Sequence, residues 1–372
     1  MLRLTRLTLT NFRSYPALTW RPAARLAVVS GPNGSGKTNL LEAISLLVPG
    51  RGLRNARIAE LGRRSADGPH PWGVVGRFNQ AGIETEIATG SPPEGPLDKR
   101  VFRLDGTPAR SQADIAGAAA AIWLTPQMDR LFGDAASGRR RFLDRLVWAL
   151  EPGHAREVAA YETAMASRNR LLATEADPAW LAGLEDSMAR HAVAVSVARA
   201  GLVARLNGAL ASGVAAPFPV GRMLLQDPLA EQLARDPALA VEDWLRTRLA
   251  ESRAQDAAGS TQYGAHRADM TLADAATGLE AALSSTGQQK ALLIGVILGH
   301  AALIASARGH APLLLLDEPA VHLDAWRRAA LWQALAASEA QAVLTGTDPD
   351  AFAGLRGTAE FLRAGEGALR TL

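Results

Sequence analysis

The chain has 372 residues, 48% of them hydrophobic and 21% charged, which excludes a disordered polymer and leaves room for two domains or one sheet domain with a large insertion. It has no cysteine, which excludes disulfides, suits a cytoplasmic protein and leaves the seven histidines a poor basis for a structural zinc site. The formal charge of +3, from 40 Lys plus Arg against 37 Asp plus Glu, does not by itself mark a nucleic-acid binder; nearly all of the positive charge is Arg, whose guanidinium fork suits phosphate contacts.

Taken in chain order, Met1 to Arg6 lacks the apolar core of a signal peptide, and Leu2–Thr10 and Leu26–Ser30 read as strands. The segment Gly31-Pro32-Asn33-Gly34-Ser35-Gly36-Lys37-Thr38 then matches G-x-x-x-x-G-K-[ST] without departure, between the second strand and an apolar-faced helix at Leu40–Leu47. Glycines let the backbone N–H groups wrap phosphates, and the helix N-terminus adds partial positive charge. Gly31 to Gly36 are thus expected to cradle ATP, Lys37 to reach its β- and γ-phosphates, and Thr38 to ligate Mg2+. A plain flexible turn would explain neither Lys37 nor Thr38.

From Trp72 to Leu104 the pattern alternates as strands, broken by turn clusters at Asn79–Gly82 and Gly90–Pro93. From Arg139 to about Asp256 it turns helical, with Ala-, Leu- and Arg-rich runs such as Pro178–Leu210. No heptad run is sustained there, so a long coiled coil is not expected. Ser285-Thr286-Gly287-Gln288 is a weak match to the ABC signature L-S-G-G-Q, with Ser284 for its Leu and Thr286 for its first Gly. Ser285 is a good N-cap for the apolar helix expected from Ala291 onward. The two readings agree, because a helix N-terminus with free N–H groups is what the γ-phosphate of another subunit needs. Ala291–Ala307 carries no Asp, Glu, Lys or Arg, yet it is short for a membrane span and reads as a buried core helix.

Leu313–Leu316 reads as a central parallel strand buried on both faces, which places Asp317-Glu318 at its C-terminal, ligand-binding end. Asp317 is expected to hold Mg2+ through water, and Glu318 to polarise the attacking water. A last strand, Ala342–Thr345, runs into Gly346-Thr347-Asp348 with no histidine, so the expected γ-phosphate sensor is a hydroxyl, Thr347, and turnover should be slow. Together these motifs predict an α/β fold: a P-loop ABC-type ATPase head, with a mixed sheet flanked by helices, interrupted by a mainly helical lobe. The expected division is 1–125, 126–258 and 259–372.

Five stretches in chain order resemble the bacterial RecF DNA repair family, and together they span nearly the whole chain. They are Leu7 to Tyr15, Gly31 to Ile44, Pro126-Gln127 through Arg139-Arg140-Arg141-Phe142-Leu143-Asp144, Tyr263 to Asp269, and Leu315 to Glu318 with His322-Leu323-Asp324 and Arg327 or Arg328. Departures from the family pattern occur at Gln127, Asp134, Ala136, Ala265 and Ala268. The resemblance implies a weak ATPase in which ATP and Mg2+ join two heads into a homodimer, Ser285, Gly287 and Gln288 complete the partner's site, and Asp324 crosses the interface. It implies that Arg13 lies near the nucleotide, the alternative being a surface turn. Gln127 is then either the glutamine-loop residue near Mg2+ and the attacking water, or a polar turn residue. Arg139-Arg140-Arg141 contacts DNA or a regulator, or else packs in salt bridges. The implied partners are single-stranded and gapped duplex DNA, with RecR, RecO and RecA in repair, replication restart and SOS induction, at the nucleoid and not at a membrane. The competing classes are an ABC transporter ATPase subunit and a nucleotide-switched scaffold with little hydrolysis.

Overall fold

Leu2, Leu4, Leu7 and Leu9 are all buried, although a strict alternation of faces would turn Leu7 and Leu9 outward. A register shift between Leu4 and Arg6 in strand Leu2–Phe12 supplies the extra residue that restores the inward face. This computed structural model describes residues 1–372 except 66, 67, 93, 95, 175 and 176, with the backbone alone at 65, 69, 112 and 113. The expected turn at Gly90–Pro93 therefore ends, at Pro93, outside the described residues.

The chain divides into two compact units. The first comprises residues 1–130, 212–220 and 285–372. It holds two six-stranded sheets. One is antiparallel, in the order Tyr15–Trp20, Leu2–Phe12, Gly73–Gln80, Ile83–Gly90, Val101–Leu104, Thr107–Pro108. The other runs Ala121–Leu124, Leu313–Leu316, Ala342–Gly346, Leu26–Ser30 and Ala359–Gly365 in parallel, and Ala368–Thr371 closes its edge as an antiparallel hairpin. Four of the parallel strands, Ala121–Leu124, Leu313–Leu316, Ala342–Gly346 and Leu26–Ser30, are buried at every residue, which is why they read as unbroken apolar runs. Helix Thr286–Arg308 begins several residues before the expected Ala291, because Ser285 and Gln288 form a reciprocal capping box. Among the described residues, two helices, Pro178–Ala211 and Thr286–Arg308, are long and apolar enough by composition to cross a membrane. In the second, 67% of the most apolar window is buried, as in a core helix.

The second unit comprises residues 131–211 and 221–284. Helices Ala136–Leu150, His154–Leu172, the 34-residue Pro178–Ala211 and Ala238–Glu251 dominate it, around a core that includes Tyr161, Met188, Ala192, Leu245 and Leu249. Residues 259–284, expected with the C-terminal ATPase segment, group with this unit, because strand Asp269–Asp274 pairs antiparallel with Gly221–Gln226. Residues 212–220 group with the first unit, where Gly295 lies so close to the Pro219 carbonyl that a Cβ would sit 3.1 Å from it. The arginine run is structural at two of its three positions. Arg139 makes a bidentate pair with Asp269 at 2.8 and 2.7 Å, Arg140 donates to the Ala268 carbonyl at 2.8 Å, and only Arg141 is exposed. Asp144 is buried against Arg199 and His154, whose hydrogen bonds outweigh desolvation and hold its carboxyl below the usual range.

The helical unit also encloses a fully buried cation. Arg168 donates to Glu185 at 3.0 Å, to Asp256 at 2.8 Å and to the Leu249 carbonyl at 2.6 Å, tying three helices to its own. Removing one partner of such a cluster leaves charge buried without compensation. Arg168→Met is expected to cost about 3 kcal/mol or more of stability, read as a lowered urea midpoint.

Candidate nucleotide site

The parallel sheet assembles the site by register. Strand Ala342–Gly346 lies between the P-loop strand and Leu313–Leu316, with Leu344 opposite both Val28 and Leu316. One residue further along, the three chains deliver Thr345, the approach to the P-loop, and Asp317 to the same carboxyl edge. That edge is where an open α/β sheet binds ligands.

At the P-loop, two glycines are required by close approach as well as by conformation. Gly31 has φ +152°, and a Cβ there would sit 2.7 Å from the Ala364 carbonyl oxygen. Gly36 has φ +102° and would place one 2.7 Å from Ser14 Oγ and 3.0 Å from the Tyr15 hydroxyl. Tyr15 donates to the Gly36 carbonyl at 3.0 Å, and its burial pushes the phenol above its usual range, so it remains a neutral donor. Helix Lys37–Ser45 starts directly behind this loop.

Lys37 is buried, and its Nζ donates to the carbonyls of Gly31 at 2.7 Å and Pro32 at 3.1 Å, with Glu318 Oε1 3.7 Å away. Thr38 Oγ1 donates to Asp317 Oδ1 at 3.1 Å. Sequence alone did not mark Thr345, which is fully buried. Its hydroxyl donates to the same Asp317 oxygen at 2.6 Å and accepts from the Glu318 N–H at 3.1 Å. Thr347, the hydroxyl expected from the sequence, is exposed past the end of the strand. Glu318 itself has φ +51°, a left-handed conformation that costs a non-glycine residue about 1 kcal/mol or more and persists only where its surroundings enforce it.

The other expected residues lie around this cluster. Arg13 grips buried Glu42 on the P-loop helix with two bonds of 2.9 and 3.0 Å and donates to the Glu60 carbonyl at 2.9 Å. Together with Ser14, Asn39, Arg54, Glu60, Gly62 and Arg64 it lines a polar cavity of about 500 Å3. Asn39, next to Thr38, bonds Ser14 and Arg54 there at 2.9 and 2.8 Å. Gln127 is exposed in the 3-10 turn Pro126–Arg130, after strand Ala121–Leu124, whose Leu124 pairs with Leu316, so the turn starts from the Asp317 edge. Ser285 and Gln288 cap helix Thr286–Arg308, and a Cβ on Gly287 would stand 3.0 Å from the His322 carbonyl. Asp324 caps helix Ala325–Ala337 through the Arg327 N–H at 2.7 Å.

Chemically, the arrangement is a phosphate cradle next to a hydroxyl and a carboxylate. Among the described residues no group of three His, Cys, Asp or Glu forms a protein-only metal cage. Thr38 and Asp317 nevertheless fit a Mg2+ that takes its remaining oxygens from phosphates and water. Buried Ser35 Oγ has no hydrogen-bond partner among the described residues, as expected of a donor meant for a phosphate oxygen. Thr345→Val is expected to lower ATP turnover about tenfold or more while nucleotide affinity changes little. Steady-state kinetics beside equilibrium binding of a labelled nucleotide checks this.

The family model RecF/RecN/SMC N terminal domain matches residues 3–359. Relatives from Mesorhizobium japonicum and Rhizobium etli, each named DNA replication and repair protein RecF, are 45% and 44% identical over 98% of this chain and 97% of their own length. Two solved structures of the recombination mediator protein RecF, one with ATP and one with ATPrS, share the fold with TM-scores of 0.82 and 0.85. Each covers 100% of this chain and 99% and 98% of its own, at 21% identity. A Pyrococcus furiosus Smc head domain follows at a TM-score of 0.55 and 14% identity, covering 100% of this chain and 96% of its own. By the reach of the family model and the identity of its full-length relatives, this chain belongs to the RecF family of RecF/RecN/SMC-type proteins.

Proposed function

We propose that this chain is an ATP-dependent DNA-binding repair protein with weak ATPase activity, whose two heads close on ATP and release on hydrolysis. The observation that carries the reading is the meeting of Lys37, Thr38, Asp317, Glu318 and Thr345 at one sheet edge. Backbone N–H groups of the loop between Asn33 and Lys37 bind the phosphates, and Lys37 exchanges its carbonyl partners for the β- and γ-phosphate oxygens. Thr38 and Asp317 hold Mg2+, which when bound neutralises the charge developing on the transferred phosphoryl group. Glu318 orients and polarises the attacking water, with Gln127 beside it. The polar cavity lined by Arg13 and Asn39 receives the rest of the nucleotide.

The exposed N-terminus of helix Thr286–Arg308, with Ser285, Gly287 and Gln288, completes the γ-phosphate site of a second copy, and Asp324 faces the same interface. Hydrolysis is therefore a property of the dimer. The names of the relatives and the RecFOR pathway of the solved RecF structures support placing the chain in DNA repair and replication. In this reading, which for these details rests on the family resemblance alone, it acts at single-strand/double-strand gaps in the cytoplasm with RecR, RecO and RecA. Phosphate contacts make DNA binding fall steeply with salt.

ATP turnover measured over a protein concentration series, with and without gapped DNA and with Lys37→Met as blank, tests this. The rate per chain is expected to rise with concentration and with DNA, and the DNA effect to fade at high salt. A flat, DNA-indifferent rate would favour a self-contained ATPase. Glu318→Gln is expected to bind ATP and stay dimeric, seen as a doubled mass in light scattering that persists after ATP addition.

A further inference from the structure

A single buried cation fastens the helix that would touch a partner's nucleotide to the strand that carries this chain's own general base. Lys290, on the second turn of helix Thr286–Arg308, is 1% exposed. Its Nζ donates to the Glu318 main-chain carbonyl at 3.2 Å and to Asp129 Oδ2 at 3.3 Å. Asp129 lies two residues beyond Gln127 in the turn Pro126–Arg130, and its other oxygen is buried without a hydrogen-bond partner among the described residues. One ammonium thus touches three elements of the site: the signature helix, the Gln127 turn and the Glu318 backbone.

The Glu318 contact falls on a strained residue. Its left-handed backbone is clamped at one end by Thr345, which accepts from its N–H, and at the other by Lys290, which donates to its carbonyl. Burial disfavours the charged form of Lys290, and Asp129 opposes that loss. The helix is buried continuously from Lys290 to Ile297, so a displacement at Ser285 is carried as a rigid shift to the ammonium.

We propose that Lys290 is the positioning residue that couples the two ends: engagement of the Ser285 helix N-terminus by a nucleotide on a second copy sets, through Lys290, the backbone of Glu318 in the same chain. This rests on the ATP-dimer reading above. It makes each chain's hydrolysis answer to whether its partner is loaded, a coupling of the kind that links two sites through one two-position element. Lys290 touches neither the P-loop nor the phosphates, so it alters rate and not nucleotide affinity.

The test compares full-length Lys290→Met, which keeps the stem and removes the charge, with Lys290→Arg, which restores it. Three quantities are read: nucleotide affinity of the dilute chain, dimer mass with a slowly hydrolysed ATP analogue, and turnover of the preformed dimer. The Met variant is expected to bind nucleotide within about twofold of the parent and to dimerise, yet to turn over about tenfold or more slowly, with Arg recovering most of the rate. Asp129→Asn provides a second variant should Lys290→Met fail to fold; it is expected to slow turnover in the same sense, and normal turnover in it would then overturn the proposal. Normal turnover in a folded Met variant, or a loss of nucleotide affinity equal to the loss of rate, would also overturn it. A parent protein that neither dimerises nor hydrolyses ATP would instead bring down the functional reading, and this inference with it.

Discussion

The site depends on the hydrogen-bonded register of three parallel strands. Leu344 stands opposite Val28 on one side and Leu316 on the other, so the next residue of each strand falls at the same level of the sheet edge. Parallel ladders of buried apolar residues tolerate no slip, because a shift of one residue would turn each side chain to the other face. Everything polar at the site hangs from that ladder. Asp317 donates its N–H to Leu124 and accepts from Thr345 and Thr38, so its carboxylate is oriented by a strand on each side and by the P-loop helix.

The same constraint explains why charged groups are accepted deep in the first unit. Lys37, Asp317 and Lys290 are each at most 5% exposed, and burying an isolated charge is expensive. Each meets an opposite charge or oriented dipoles: Lys37 has two carbonyls and Glu318, Asp317 has two hydroxyls and a cation nearby, and Lys290 has Asp129 and the Glu318 carbonyl. The polar atoms are fixed before any nucleotide arrives, and preorganised dipoles of this kind stabilise developing charge without reorganising. The helical unit uses the same chemistry in its packing, in the Arg168 cluster and in the Arg139–Asp269 and Asp144–Arg199 pairs.

Those pairs also account for two stretches of the family resemblance. The segments Arg139–Asp144 and Tyr263–Asp269 are joined to each other: Arg139 meets Asp269, Arg140 the Ala268 carbonyl, and Arg199, held by Asp144, the Ala265 carbonyl. Tyr161 and Thr261 fix both ring nitrogens of His266, at 2.6 and 2.9 Å, and burial lowers its pKa, so the ring is a neutral bridge in the packing. Two motifs that lie far apart in the sequence are two sides of one structural joint.

Much of this was legible in the chain itself. Local chemistry marked the P-loop, since its glycines sit where φ is positive and at Gly31 and Gly36 a Cβ has no room, and marked the leucine strand ending in Asp317-Glu318, since a strand buried on both faces reads as an unbroken apolar run. Ser285 announced itself as a helix cap, which depends on residues within one turn. What the sequence left open depends on long-range pairing. Strand Tyr15–Trp20, the antiparallel pair Gly221–Gln226/Asp269–Asp274 and the hairpin Ala359–Gly365/Ala368–Thr371 are short or widely separated and gain their order from partners, so no local period marks them. Thr345 was passed over for Thr347 because only the register of a neighbouring strand puts one hydroxyl on Asp317 and leaves the other in solvent. The sequence by itself determined which residues have the chemistry to hold a nucleotide. The tertiary structure decided which of them touch, because strands hundreds of residues apart in sequence meet only through the sheet.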